Sequence, residues 1–193
     1  NIKDTQTALY EKCIKARIYC SEQAYKLNPN HYKNCGDYGE DLSKMGKWKD
    51  AIPILEKGAN DIIQRSELTE AEKRGKLSWL YQEIGYCYRN VGDYQRAEEF
   101  FDKSADTEDS AIGYFKHVDR MYDLKKYKKA AISFHKFIEK FPSSREEKKK
   151  EIFYGLPKIL QKIARSYEEL EEDESTLAWK DYADVSFYFN GRL

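Results

Sequence analysis

Three histidines, four cysteines and a large set of carboxylates are the side chains in this sequence that could do chemistry. His31, His117 and His135 stand apart from one another. None lies in an H-E-x-x-H motif, and none accompanies a Ser or Cys in a recognised nucleophile motif. His117 shares a helical face with Tyr114 and Met121, so it reads as a partly buried structural imidazole. Cys13, Cys20, Cys35 and Cys87 form no C-x-x-C pair and read as small core residues. Two alternatives stay open for them. One is a Cys20–Cys35 disulfide between neighbouring helices. The other is a metal site from Cys13, Cys20, Cys35 and His31, although that spacing matches no common zinc pattern. The acidic run Glu168–Glu174 lacks the alternation of a calcium loop and reads as a solvated turn. Lys148, Lys149 and Lys150 follow Glu146 and Glu147, as paired charges on an exposed helix do, with a phosphate or RNA contact as the lesser alternative. No phosphate-binding glycine loop is present. The residues therefore assign no catalytic group, no metal and no cofactor, and the chain reads as a non-enzyme.

Composition narrows the class further. Lys plus Arg and Asp plus Glu are both 34 of 193 residues, giving a formal net charge of zero. A nucleic-acid binder would carry a basic excess. Charged residues make up 35% and mean hydropathy is −0.88, and no run approaches the ~18 apolar residues of a spanning helix, so neither nucleic acid nor membrane insertion is expected. An aromatic content of 15% within a 40% hydrophobic fraction supplies a core. The visible start carries neither Met nor a leader-like apolar run. A removed leader would be invisible here, so that start decides nothing; the location stays unknown, with the cytoplasm slightly favoured and a periplasmic or secreted location open if a leader was removed.

The elements that must position these residues are helical. From Thr7 to Leu27, Leu9, Cys13, Ala16, Cys20, Ala24 and Leu27 recur every three or four residues, with Tyr10, Ile14, Ile18 and Tyr25 as a second stripe. Asn28-Pro29-Asn30 then breaks the helix. A recurring block follows. Its first copy holds Gly39, Gly46-Lys47-Trp48, Ala51 and Leu55. Its second holds Tyr81, Ile84-Gly85, Tyr88, Gly92-x-Tyr94, Ala97 and Phe101. Its third holds Tyr114, Val118, Met121, Tyr127, Ala130, Phe134 and Pro142. A looser fourth holds Leu160, Ile163, Ala164, Tyr167, Ala178 and Tyr182. The turns at Gly46, Gly92, Lys125 and Glu171 are separated by 46, 33 and 46 residues. Thr69-Glu70-Ala71-Glu72 and Ser144-Arg145-Glu146-Glu147 are candidate capping boxes, so the extra residues read as extended first helices over 70–90 and 145–170. Small residues at 39, 85 and 164, and alanines at 51, 97, 130 and 178, let paired helices approach closely.

This pattern resembles the tetratricopeptide repeat, W-x2-L-G-x2-Y … A-x3-F … P over about 34 residues. The resemblance covers residues 32–190. It implies an all-α, right-handed superhelical solenoid of antiparallel helix hairpins, with about nine helices in a single domain spanning 1–193. The expected parts are an N-terminal helix at 6–27 and repeats at 30–65, 70–106, 109–142 and 145–190.

The resemblance also implies a concave groove lined by the first helix of each pair, where a peptide or protein segment docks. Carried over by position, the groove residues are Lys33, Gly36, Glu40 and Ser43; Trp79, Gln82, Tyr86 and Arg89; Ile112, Phe115, Asp119 and Tyr122; and Lys158, Gln161, Arg165 and Glu168. Aromatic and Arg residues dominate binding hot spots, so Trp79, Tyr86, Phe115, Tyr122, Arg89 and Arg165 are the candidates, with Gln82, Asp119 and Gln161 as hydrogen-bonding partners. The competing reading is that these aromatics pack between repeats. Gly36 and Glu40 stand where a chaperone-tail clamp needs Lys and Asn, so that subclass is not expected. The aromatic C-terminal stretch, with Trp179, Tyr182, Phe187 and Phe189, offers a surface for homodimerisation or for folding back. The alternative function is a structural subunit or adaptor of a larger assembly, such as one of a bacterial envelope, acting through that end.

Overall fold

Three short turns set the architecture, and all three close in the same way. At each, the residue in the left-handed conformation donates its N–H three residues back, and the next residue donates five back. Gly46 and Lys47 bond to Ser43 and Leu42, Gly92 and Asp93 to Arg89 and Tyr88, Lys125 and Lys126 to Tyr122 and Met121. These bonds satisfy the last carbonyls of one helix, and the next helix starts immediately. Gly46 and Gly92 take φ values of 76° and 87° without a Cβ penalty, but Lys125 takes 58° with one. Lys125→Gly is therefore expected to raise stability by about 0.5–1 kcal/mol, read as the shift in a urea unfolding curve.

A computed structural model describes residues 2–144 and 146–170, with side chains from Lys12 onward except 145–148, 150, 151 and 153. Eight α-helices are described: α1 Ile2–Leu27, α2 Tyr32–Lys44, α3 Trp48–Gln64, α4 Glu70–Val91, α5 Tyr94–Glu108, α6 Ala111–Asp123, α7 Tyr127–Lys140 and α8 Glu146–Glu169. A 3-10 turn at Phe141–Ser143 follows α7. The helices fall into two compact units divided between Thr107 and Glu108.

In the first unit, α2 and α3 form one hairpin and α4 and α5 the next. Leu55, Ala51, Ile62, Leu80, Ile84, Ala97 and Phe101 make its core. A Cβ on Gly39 would lie 2.6 Å from Leu55, and one on Gly85 would lie 2.6 Å from the Phe101 ring. The glycines thus receive the large residue of the partner helix, one turn beyond the buried Ala51 and Ala97. Ser104 donates to the Ser78 carbonyl at 2.9 Å, and Tyr88 stacks on Phe100 while donating to Glu56 at 3.0 Å.

α4 owes its early start to a complete capping box. The Thr69 hydroxyl accepts from the Glu72 N–H, and the Glu72 carboxylate accepts from the Thr69 N–H. Thr69→Ala should cost about 1 kcal/mol and increase hydrogen exchange over 70–76. Ser144 donates to the Lys140 carbonyl, and the side chains that would complete a box there lie outside the described residues.

Of the two apolar stripes of α1, one docks. Its second stripe docks on α2: Ser21 donates to the buried Asp41 at 2.6 Å, Arg17 pairs with the same carboxylate, and Tyr25 stacks on Tyr38. Cys13, Ala16 and Cys20 are exposed, and Leu27 is 87% exposed. Asp41 decides the register, because a buried carboxylate needs both partners. The cysteines are therefore not four core residues. Cys35 and Cys87 are buried, Cys13 and Cys20 are exposed, and all four are free thiols, so the Cys20–Cys35 bridge is absent.

In the second unit α6 and α7 pair through Val118, Phe134, Ala130 and Phe137, all buried. His117 is buried, its Nδ1 2.7 Å from Ser133 Oγ, as befits a structural imidazole. α8 adds Ile152, Leu156, Ile159, Ile163 and Tyr167, whose hydroxyl lies 2.9 Å from His135 Nε2.

Candidate functional site: first-helix faces

Helix α2 presents its sides to three neighbours. Asp41 and Tyr38 meet α1, Gly39 meets α3, and Gly36 meets α4. The remaining side carries Lys33, Asp37, Glu40 and Lys44, one charge per turn, with Glu40 and Lys44 paired. Burial pushes the Asp37 carboxyl above its ordinary range, opposed by Lys33 and aided by Glu40 and Asp41. Gly36 is buried beneath the Trp79 ring, 2.6 Å from where its Cβ would stand. Trp79 thus packs α4 onto α2, and Gly36 is the seat for its ring.

Along α4, Gln82, Tyr86 and Arg89 follow Trp79 at three- and four-residue steps and are all half-buried. Tyr86 stands edge-on to Phe101 at 5.2 Å, and the Arg89 guanidinium lies 5.1 Å from the Tyr86 ring centre. Packing against Phe101 fixes the tyrosine, and the tyrosine orients the guanidinium. The result is a row of preorganised aromatic and hydrogen-bonding groups.

The second unit uses its first-helix residues differently. Phe115 rests on Gly155 of α8, where a Cβ would lie 2.8 Å from the ring, and it also meets Phe137 at 5.5 Å. Asp119 is paired with Lys162 at 2.7 Å and Lys158 at 3.2 Å. Lys162 also pairs with Asp123 and lies 5.0 Å from the Tyr122 ring centre. Ile112 is buried, whereas Gln161, Arg165 and Glu168 are exposed on α8. Lys162 is the residue that sequence reasoning missed, because no local spacing reports a contact between 119 and 162. Trp179, Tyr182, Phe187 and Phe189 lie outside the described residues.

Burial raises the Asp119 carboxyl, but hydrogen bonding and charge from Lys162 and then Lys158 outweigh it and hold the group below its ordinary range. A depressed carboxylate contributes stability that is complete above its unfolded value, about 3.9, and is lost as pH falls through the folded value. Asp119→Asn should therefore flatten the acid limb of a stability–pH profile, measured as unfolding midpoints below about pH 4.

Among the described residues no three His, Cys, Asp or Glu side chains converge as a metal-binding group, and no helix is long and apolar enough to cross a membrane. A tetratricopeptide-repeat model matches residues 120–144, which contain the α6–α7 turn and all of α7. That match identifies residues 120–144 as a tetratricopeptide repeat. No curated protein matches it in sequence. Among solved structures, a crystal structure of MamA matches with a TM-score of 0.62 and 18% identity, covering 99% of this chain and 98% of that one. A second MamA crystal structure gives 0.59 and 18%, covering 91% and 84%. A MamA RS-1 double mutant gives 0.54 and 19%, covering 72% and 71%. These likenesses support the fold: an all-α tetratricopeptide-like solenoid of helix hairpins. Tetratricopeptide repeats are typically non-catalytic protein-interaction modules.

Proposed function

We propose that the chain binds a peptide or an extended protein segment along the face of α4 that carries Gln82, Tyr86 and Arg89, with the charged row of α2 beside it. The observation that carries this reading is the fixed row itself. Tyr86 and Arg89 are held by Phe101 and by each other, so binding them costs little side-chain entropy. Arg89 and Gln82 have the donors that a peptide carbonyl or carboxylate accepts. Trp79 borders the row, but its ring also holds α4 on α2, so its removal tests packing as well as binding. Phe115, Asp119 and Tyr122 support the second unit through α8, where Gln161 and Arg165 are exposed.

The test is selection of peptides from a display library on the purified protein, followed by titration against Gln82→Ala/Arg89→Ala. Selected peptides should lose at least about tenfold in affinity, as loss of hot-spot contacts does, while the helical circular dichroism is unchanged. Peptides that bind parent and variant equally would place recognition elsewhere.

A further inference from the structure

The turn between α6 and α7 breaks two local rules that the turns of the first unit keep. Its left-handed position, a glycine at 46 and 92, is held by Lys125 at a φ of 58°, where a Cβ is strained. Lys126, Lys128 and Lys129 then surround the start of α7, where the helix dipole favours acids. By contrast, α3 carries Asp50 in its first turn, and Asp93 caps α5 by accepting from the Arg96 N–H at 3.1 Å. Both departures cost stability. Lys125, Lys126 and Lys128 are exposed and add nothing to the core. Local rules broken without a packing gain mark functional positions.

What the lysines gain is charge in one place. The five residues from Lys125 to Lys129 hold four cations around Tyr127. The acid before them, Asp123, is bonded to Lys162 of α8 at 2.5 Å, and Lys162 also pairs with Asp119. Glu169 acts on the Tyr127 hydroxyl, but four lysines stand against it. The turns of the first unit are better balanced: Lys44 pairs with Glu40, and Arg96 with Asp93. Tyr127 is half-buried with its ring 5.7 Å from Tyr122, so the cations ride on a fixed aromatic base. The patch is the outer tip of a hairpin and not a groove. The clefts of about 450 Å³ at Asp109 and Lys140, and of about 530 Å³ at Leu160 and Arg165, take in none of its lysines.

We infer that this turn adsorbs to an anionic bilayer surface. A nucleic-acid strand needs stacking rings turned outward, whereas Tyr127 is packed on Tyr122. A peptide needs a groove. Flexible ammonium groups on an exposed tip need only a dense field of negative headgroups. The contact is peripheral, since no helix among the described residues is long and apolar enough to cross a membrane. It is independent of what the α4 row binds.

The test is sedimentation of the full chain with phosphatidylcholine vesicles containing about 30% phosphatidylserine, beside vesicles of phosphatidylcholine alone. Each lysine near such a surface is worth about fivefold in partitioning. Lys125→Gly should therefore bind about fivefold more weakly while unfolding at higher urea, because it also relieves the strained turn. Opposite signs for binding and stability separate the charge effect from a folding defect. Lys125→Gly with Lys128→Gln should lose about twenty-five-fold, and about 0.5 M salt should release the parent. Equal binding to both vesicle types, equal binding by parent and variants, or no binding by the parent would overturn the proposal. Capture of poly-glutamate or single-stranded RNA in place of the vesicles would also overturn it, and would assign the patch to an anionic chain.

Discussion

Phe101→Ala should lower the unfolding free energy by about 3–5 kcal/mol, the range for emptying a buried aromatic site. Phe101 is fully buried, and its ring fills the space that Gly85 leaves on α4. Tyr86 leans on the same ring, so the loss also loosens the first member of the aromatic–guanidinium row. The walls are helices held by the Tyr88–Glu56 bond and the Ser104–Ser78 bond, which limits collapse into the cavity. Urea unfolding monitored by circular dichroism measures the change. A cost below about 1 kcal/mol would mean that the α4–α5 contact does not carry this unit.

Gly85→Leu is the opposite insult at the same contact. A Cβ there already stands 2.6 Å from two carbons of the Phe101 ring, closer than real Cβ contacts come, and the rest of the leucine must be housed as well. The ring cannot swing away, because Tyr86 and the core enclose it. Overpacking of this kind costs about 1–3 kcal/mol, and the rigid walls place this site near the upper end. The two substitutions should compensate. The side chain introduced by Gly85→Leu enters the cavity that Phe101→Ala opens, so the double variant should be at least about 1 kcal/mol more stable than the sum predicts. Strict additivity would contradict the pairing of 85 with 101.

The repeat was legible because its signals are short-range. A glycine in a left-handed turn, a capping box at Thr69 and a buried alanine each announce themselves within a few residues. What the pattern understated is which residue fills the glycine's space. It pointed to the alanine, and the partner is Leu55 or Phe101 one turn on, because the small–small contact opens a slot for a large side chain beside it. α1 is ambiguous by spacing for a related reason. Its two apolar stripes are nearly equal, and Asp41, one helix away, selects the one that docks. The exposure of the cysteines at 13 and 20 follows from that choice. The candidate site was legible as positions and not as contacts. Gln82, Tyr86 and Arg89 share a face of α4 by spacing alone, but the seating of Trp79 on Gly36 and of Phe115 on Gly155 joins residues far apart in the chain, which helical periodicity does not encode.

The most direct measurement is a pull-down from native extract read by mass spectrometry, comparing the parent with Gln82→Ala/Arg89→Ala. Both substitutions shorten half-buried side chains and leave the Phe101 and Trp79 contacts in place. A protein retained by the parent and lost by the folded variant is the predicted result, and it would establish α4 as the partner surface. Identical retained sets from the two would contradict it.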